Sequence, residues 1–249
     1  MSAIRAAYVV FMSKMSSDFP STSAAVDPST RCRLVLAVTG RNARALEADP
    51  EEILASGDIA SIIFDAADLD EVEFQELISP IVAAAHKNDI AVIVVGQTRV
   101  GGRVGADGLQ FGQDPDVVRE AIEKYTPQLM VGAGNVKTRH NALVIGELQP
   151  DYLMFGKPGG DIRVEPHPKN VDLASWWSSM VEIPCILLGG NSLESVIEAA
   201  RSGADFVALE NAIFSSQAGH STKAEIMQRI CEANRLLDEH APPFEFFEE

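Results

Sequence analysis

Several things are scarce in this chain, and each scarcity removes a class of function. Its 249 residues include three cysteines, Cys32, Cys185 and Cys231, an odd number with no C-x-x-C pair among them. That spacing suggests neither a disulfide framework nor a zinc site. Basic residues are few, 20 Lys plus Arg against 36 Asp plus Glu, for a formal charge of −16. Without a basic face there is no counterion release to drive binding to nucleic acid or to an anionic membrane. Long apolar runs are missing too: a stretch such as Ile90–Val95 is far short of the ~20 residues that span a bilayer. Near the start, Ala6–Met12 is apolar, but Lys14 interrupts it and no small-residue cleavage site follows. The expectation is a soluble, cytoplasmic protein.

The charge that is present is uneven. Residues 1–50 carry six basic and four acidic side chains, a net +2, which leaves −18 for residues 51–249. Between Glu51 and Pro80 stand nine carboxylates and no Lys or Arg. Most of them read as a solvated helix face.

From Arg31 onward, short β-branched runs alternate with longer amphipathic ones. Strands are expected at Leu34–Val38, Ser61–Phe64, Ala91–Val95, Gly108–Phe111, Gln128–Val131, Tyr152–Phe155, Cys185–Leu188 and Phe206–Leu209. Helical patterns fall near 50–56, 71–87, 98–104, 115–124, 137–147, 171–180, 192–201 and 221–239. Strict alternation implies parallel strands with helical crossovers, and eight such units close into a barrel. The fold class is therefore α/β, a single-domain (β/α)8 TIM barrel over residues 31–241. Residues 1–30 read as an N-terminal extension, with Met12 or Met15 as alternative starts, and 242–249 as a tail. Three Phe in that tail, Phe244, Phe246 and Phe247, suit an apolar edge or a subunit contact in a homo-oligomer.

A weak repeat supports the barrel. Gly105-Ala106-Asp107, Pro150-Asp151 and Gly203-Ala204-Asp205 each precede a strand. Gly or Pro stops the preceding helix, and the Asp sits at the strand's N-terminal end. That end of a barrel serves stability, so the three Asp read as structural.

Chemistry in such barrels belongs to the opposite rim, just after each strand. Gly189-Gly190-Asn191 after strand seven and Asn211-Ala212 after strand eight offer backbone N–H groups for a phosphate, with Asn191 or Ser192 capping the next helix. Lys157, directly after strand six, can hold a second phosphate or act as an acid, and Lys169 lies in the same Gly- and Pro-rich loop, which has a lid-like composition. Asp65 after strand two and Glu210 after strand eight are, with Lys157, candidates for proton transfer. Gln113 and Asn135 complete the polar rim. Asp114 can ligate Mg²⁺, a hard cation that takes carboxylate and phosphate oxygens together, or serve as an ordinary helix N-cap beside Pro115.

In sequence order, Gly105–Gln113, Asp151–Gly156, Ile183–Gly190 and Gly203–Val207 with Asn211-Ala212-Ile213 together resemble thiamine phosphate synthases and their thiazole tautomerase relatives. The resemblance covers residues 57–216. It implies a barrel that joins hydroxymethylpyrimidine diphosphate to thiazole phosphate, releases pyrophosphate with Mg²⁺ assistance, and has small phosphorylated metabolites as its partners. Where the family carries an Arg-Glu-Lys grip on the diphosphate after strand two, this chain has Asp65-Ala66-Ala67. A tautomerase-like isomerase needing only one phosphate site, and a non-catalytic barrel that binds a phosphorylated metabolite, stand beside the synthase as alternatives.

Overall fold

The computed structural model describes residues 30–216 and 219–244. The N-terminal extension through residue 29, Phe246 and Phe247 lie outside them. Eight parallel strands close into a barrel in the order β1 to β8. They are β1 (Arg33–Thr39), β2 (Ile59–Asp65), β3 (Ala91–Val95), β4 (Gly108–Phe111), β5 (Met130–Ala133), β6 (Tyr152–Phe155), β7 (Cys185–Leu188) and β8 (Phe206–Leu209). Closure comes from β1, which pairs with β2 through Val35 and Ser61 and with β8 through Arg33 and Phe206. The outer layer is α1 (Pro50–Leu54), α2 (Glu71–Lys87), α3 (Thr98–Val104), α4 (Pro115–Tyr125), α5 (Arg139–Gly146), α6 (Pro168–Met180), α7 (Ser195–Arg201) and α8 (Lys223–His240). Single turns of helix at Gly40–Ala43 and Asn211–Phe214 sit on the rim.

Alternation along each strand sends one set of side chains into the barrel and the other toward the helices. Val35, Ala37, Ile63, Ile93, Met154 and Ile186 belong to the inner cluster, whereas Leu34, Leu36, Ile62, Phe64 and Phe155 pack under the helices. Tyr152 also points inward, and its hydroxyl donates to Gln110 Oε1 at 2.9 Å. A side chain at Gly132 would meet the Tyr152 ring at 2.1 Å, so glycine on β5 leaves room for the tyrosine.

The repeated Asp residues lock the N-terminal face. Asp107 accepts from Val92 N at 2.8 Å, Asp151 from Val131 N at 2.7 Å, and Asp205 from Cys185 N at 2.8 Å. Each thus ties the foot of an even-numbered strand to the strand before it. Asp58, ahead of β2, does the equivalent work through an ion pair with Arg33 of β1. Burial pushes the Asp205 carboxyl up to about 6.

The acidic run divides between α1 (Glu51, Glu52), the two ends of β2 (Asp58, Asp65), the turn at Asp68, and the cap and outer face of α2 (Asp70, Glu71, Glu73, Glu76). Asp70 accepts the N–H groups of Val72 and Glu73, both at 2.9 Å, and Glu71 and Glu73 in the first turn complement the helix dipole. Glu51, Glu71 and Glu73 pair with Lys87, Arg103 and Arg44.

Several element ends shift by one to three residues from the sequence reading; β2, for one, runs Ile59–Asp65, so Asp65 is its last residue rather than the one after it, and three shifts bear on the site. Strand β5 begins at Met130 rather than Gln128, because Leu129 N still bonds Tyr125 O at 3.0 Å and the ladder opens with Met130 N on Asp107 O at 2.9 Å. Helix α6 begins at Pro168, three residues early, with Pro at its first position and His167 as its cap. Lys169 is consequently on the helix and not in the loop. Helix α7 begins at Ser195, and neither Asn191 nor Ser192 caps it; the Ser192 hydroxyl accepts from Glu194 N at 3.2 Å within the preceding turn.

Candidate active site

At the C-terminal mouth two carboxylates are almost fully enclosed, Glu210 at 1% exposure and Asp161 at 3%. Glu210 follows β8 directly. It accepts from Thr39 Oγ1 at 2.8 Å, Asn42 Nδ2 at 3.0 Å and the Gly159 N–H. Asp161 belongs to the loop between β6 and α6, and accepts Asn211 N at 2.6 Å and Asn211 Nδ2 at 2.7 Å. All these donors are neutral. Burial and the nearby Glu210 charge push Asp161 up to about 6; burial also raises Glu210, against the opposing effect of its hydrogen bonds.

The same loop, Gly156–His167, crosses the mouth as a strap. Gly159 lies 3.7 Å from Thr39 Cγ2 across the barrel, measured from an added Cβ, and Gly160 approaches Leu188 in the same way. Farther along, Asn191 N donates to Arg163 O at 2.7 Å and Ser192 N to Val164 O at 3.3 Å. Gly190 N is taken by Ser195 Oγ at 2.9 Å. The N–H groups that the sequence offers to a phosphate at Gly190, Asn191 and Asn211 therefore all have protein acceptors here. Gly189 N bonds Ala208 O within the sheet, and Ala212 is buried in the turn that follows Asn211.

The remaining candidates sit around the other half of the rim. Asp65 Oδ1 accepts Ala67 N at 2.9 Å and supports a turn in which Ala67 has φ +51°. Asn135, after β5, holds φ +59° and donates its N–H to Gly156 O at 2.8 Å. Asp89 and Gln149, before β3 and β6 on the opposite face, hold the same left-handed conformation, so it marks turns at both ends of the barrel. Gln113 staples two rim loops: its Oε1 accepts Lys137 N at 3.2 Å and its carbonyl accepts Asn141 Nδ2 at 2.8 Å. Asp114 caps α4, with Oδ1 on Asp116 N at 3.0 Å. Among the described residues no three His, Cys, Asp or Glu side chains gather into a metal-binding group. Lys157 is exposed, and its carbonyl closes a tight turn with Gly160 N.

Lys87, Arg44, Arg103, Arg119, Lys223 and Arg235 all have carboxylate partners. Arg41, Arg99, Lys137, Lys157 and Arg163, on the segments that follow β1, β3, β5 and β6, are exposed and make no ion pair among the described residues, as are Lys124 and Arg201 at the far ends of α4 and α7 on the opposite face. In a chain of charge −16, the exposed cations on the C-terminal rim favour an anionic ligand there. The sequence reading overlooked Asp161 and Arg99, and placed Arg41 on the rim without a role. Asp161 had a visible signal as the lone carboxylate in the Pro- and Gly-rich stretch between Gly156 and Val164.

The family model for thiamine monophosphate synthase matches residues 35–213. The chain belongs to that family. It is 31% identical over 179 residues to a thiamine-phosphate synthase of Erythrobacter litoralis, covering 69% of this chain and 79% of that protein. It is 30% identical over 181 residues to one from Rhodospirillum centenum, covering 71% and 86%. Among solved structures, the thiamine phosphate pyrophosphorylase of Pyrococcus furiosus superposes with a TM-score of 0.66 at 20% identity, over 86% of this chain and 98% of that one. That likeness speaks to the fold, a (β/α)8 barrel.

Proposed function

We propose that this family member joins hydroxymethylpyrimidine diphosphate to thiazole phosphate, with substitution at the pyrimidine methylene and release of pyrophosphate. The observation that carries the reading is the family match over residues 35–213. Two anionic substrates have to meet at the rim, and Arg41, Arg99, Lys137 and Lys157 supply positive charge there from segments other than the loop after β2, where Asp65-Ala66-Ala67 has none. The thiazole phosphate would sit at Gly189-Gly190-Asn191 and Asn211-Ala212, and the diphosphate nearer Arg99, Gln113, Asn135 and Lys137. Asp114, at the head of α4, fits Mg²⁺ as a donor of one carboxylate oxygen, the diphosphate providing the others. The ion would neutralise charge on the departing pyrophosphate.

One feature favours a second reading, a proton-transferring isomerase acting on a single phosphorylated ring. Two enclosed carboxylates, one titrating at about 6, suit acid and base roles, with Asp65 and Lys157 as further proton carriers. Incubation with both substrates and Mg²⁺ separates the readings. The synthase yields thiamine phosphate and one pyrophosphate per turnover. Solvent deuterium entering thiazole phosphate alone, with no coupled product, would replace the synthase reading with the isomerase.

A further inference from the structure

The Gly156–His167 strap docks on Asn191 and Asn211, two of the residues whose N–H groups the reading above assigns to a phosphate, and on the adjoining Ser192 N–H. Arg163 O and Val164 O take Asn191 N and Ser192 N, and the Asp161 carboxylate takes the backbone and side-chain N–H of Asn211. The docking is built into the sequence at a separate point. A Cβ at Gly190 would lie 2.1 Å from Val164 O, so glycine at 190 is required by the strap itself. The segment also has the ends of a movable element. Gly156 at φ +115° begins it, and Pro166 with the helix-starting Pro168 ends it. Its outer surface carries Ile162 at 83% and Val164 at 60% exposure, apolar side chains with little to hold them down.

We propose that this strap is autoinhibitory: Asp161 and the carbonyls of Arg163 and Val164 occupy the phosphate positions at β7 and β8, and a phosphorylated ligand binds only by lifting the strap. The proposal rests on the phosphate assignment above and adds its regulation. A carboxylate on two N–H donors is the internal counterpart of a phosphate oxygen pair. The apparent affinity for phosphate then falls by the fraction of molecules whose strap is open.

Asp161→Ala removes the latch, and Gly190→Ala forces the strap off while leaving Asp161 in place. Amide exchange over residues 156–167 and at Asn191, Ser192 and Asn211 is measured in the ligand-free protein, and binding of thiazole phosphate and of inorganic phosphate by calorimetry. In both variants exchange accelerates, and Asp161→Ala binds thiazole phosphate about tenfold more tightly than the wild type; Gly190→Ala is read by exchange alone, because its added methyl stands where Val164 O stood. In the wild type, thiazole phosphate raises exchange across the strap. If it binds the wild type while strap protection stays as it was, the strap inference falls and the phosphate assignment survives. If the variants open and neither phosphate binds any form, both fall. Should Gly190→Ala fail to fold, Asp161→Ala read against the wild type decides the same question.

Discussion

Asp161 and Asn211 are bonded twice, backbone N–H to Oδ2 at 2.6 Å and side-chain amide to Oδ1 at 2.7 Å, which joins the loop after β6 to the rim after β8. Asn211→Asp places a third carboxylate beside Asp161 and Glu210, where like charges in an enclosed site repel strongly. The strap should dissociate at neutral pH. Trypsin cleavage after Arg163, which is exposed but held by its carbonyl, is expected to be about tenfold faster than in the wild type. An unchanged cleavage rate would show that this pair does not hold the strap.

Core complementarity is tested at Gly132. Alanine there meets the Tyr152 ring at 2.1 Å, and the ring is also fixed by its hydrogen bond to Gln110. Overpacking of this kind costs about 1–3 kcal/mol. Urea titration of Gly132→Ala should give a lower midpoint with an unchanged slope.

The rim cations should matter to binding and little to folding. Arg99→Glu and Lys137→Glu each reverse a charge with no carboxylate partner among the described residues. Each is expected to raise KM for hydroxymethylpyrimidine diphosphate about tenfold, the scale of one charged hydrogen bond. The effect should shrink with added salt, while urea stability stays within about 0.5 kcal/mol of the wild type. Equal KM values at low salt would remove these residues from the diphosphate site.

Asp161 and Asp205 both titrate near 6 in the folded chain, against about 3.9 for an unfolded Asp. Folding therefore takes up protons between about pH 4 and 6. The stability linked to these two groups is greatest below that window and falls as pH rises through it. Tm should drop between pH 5 and pH 7.5. Asp205→Asn keeps an acceptor for Cys185 N and abolishes one titration, so it should reduce the loss of stability over this interval by about 1–2 kcal/mol. A Tm that climbs over the same interval would contradict the assignment.

The sequence by itself determined the barrel. Hydrophobic alternation with period two, helical runs between, and Gly or Pro followed by Asp at residues 107, 151 and 205 are local signals, and each of those Asp does tie the foot of its strand to a neighbour. It also located the rim, because residues just after a strand face the mouth whatever their identity. Tertiary structure decided which rim groups meet. Asp161 lies 50 residues from Asn211 and 49 from Glu210 in the chain, and no periodicity joins them; only closure of the barrel brings the loop after β6 over β7, β8 and β1. Gly190 shows the same division. Read along the chain, it is room for a ligand; in the fold, it is room for Val164. Asp65 and Asp114 divide likewise between a carboxylate's chemistry, legible in the sequence, and its hydrogen bonds to Ala67 and Asp116 N–H, which depend on the backbone turn each one supports.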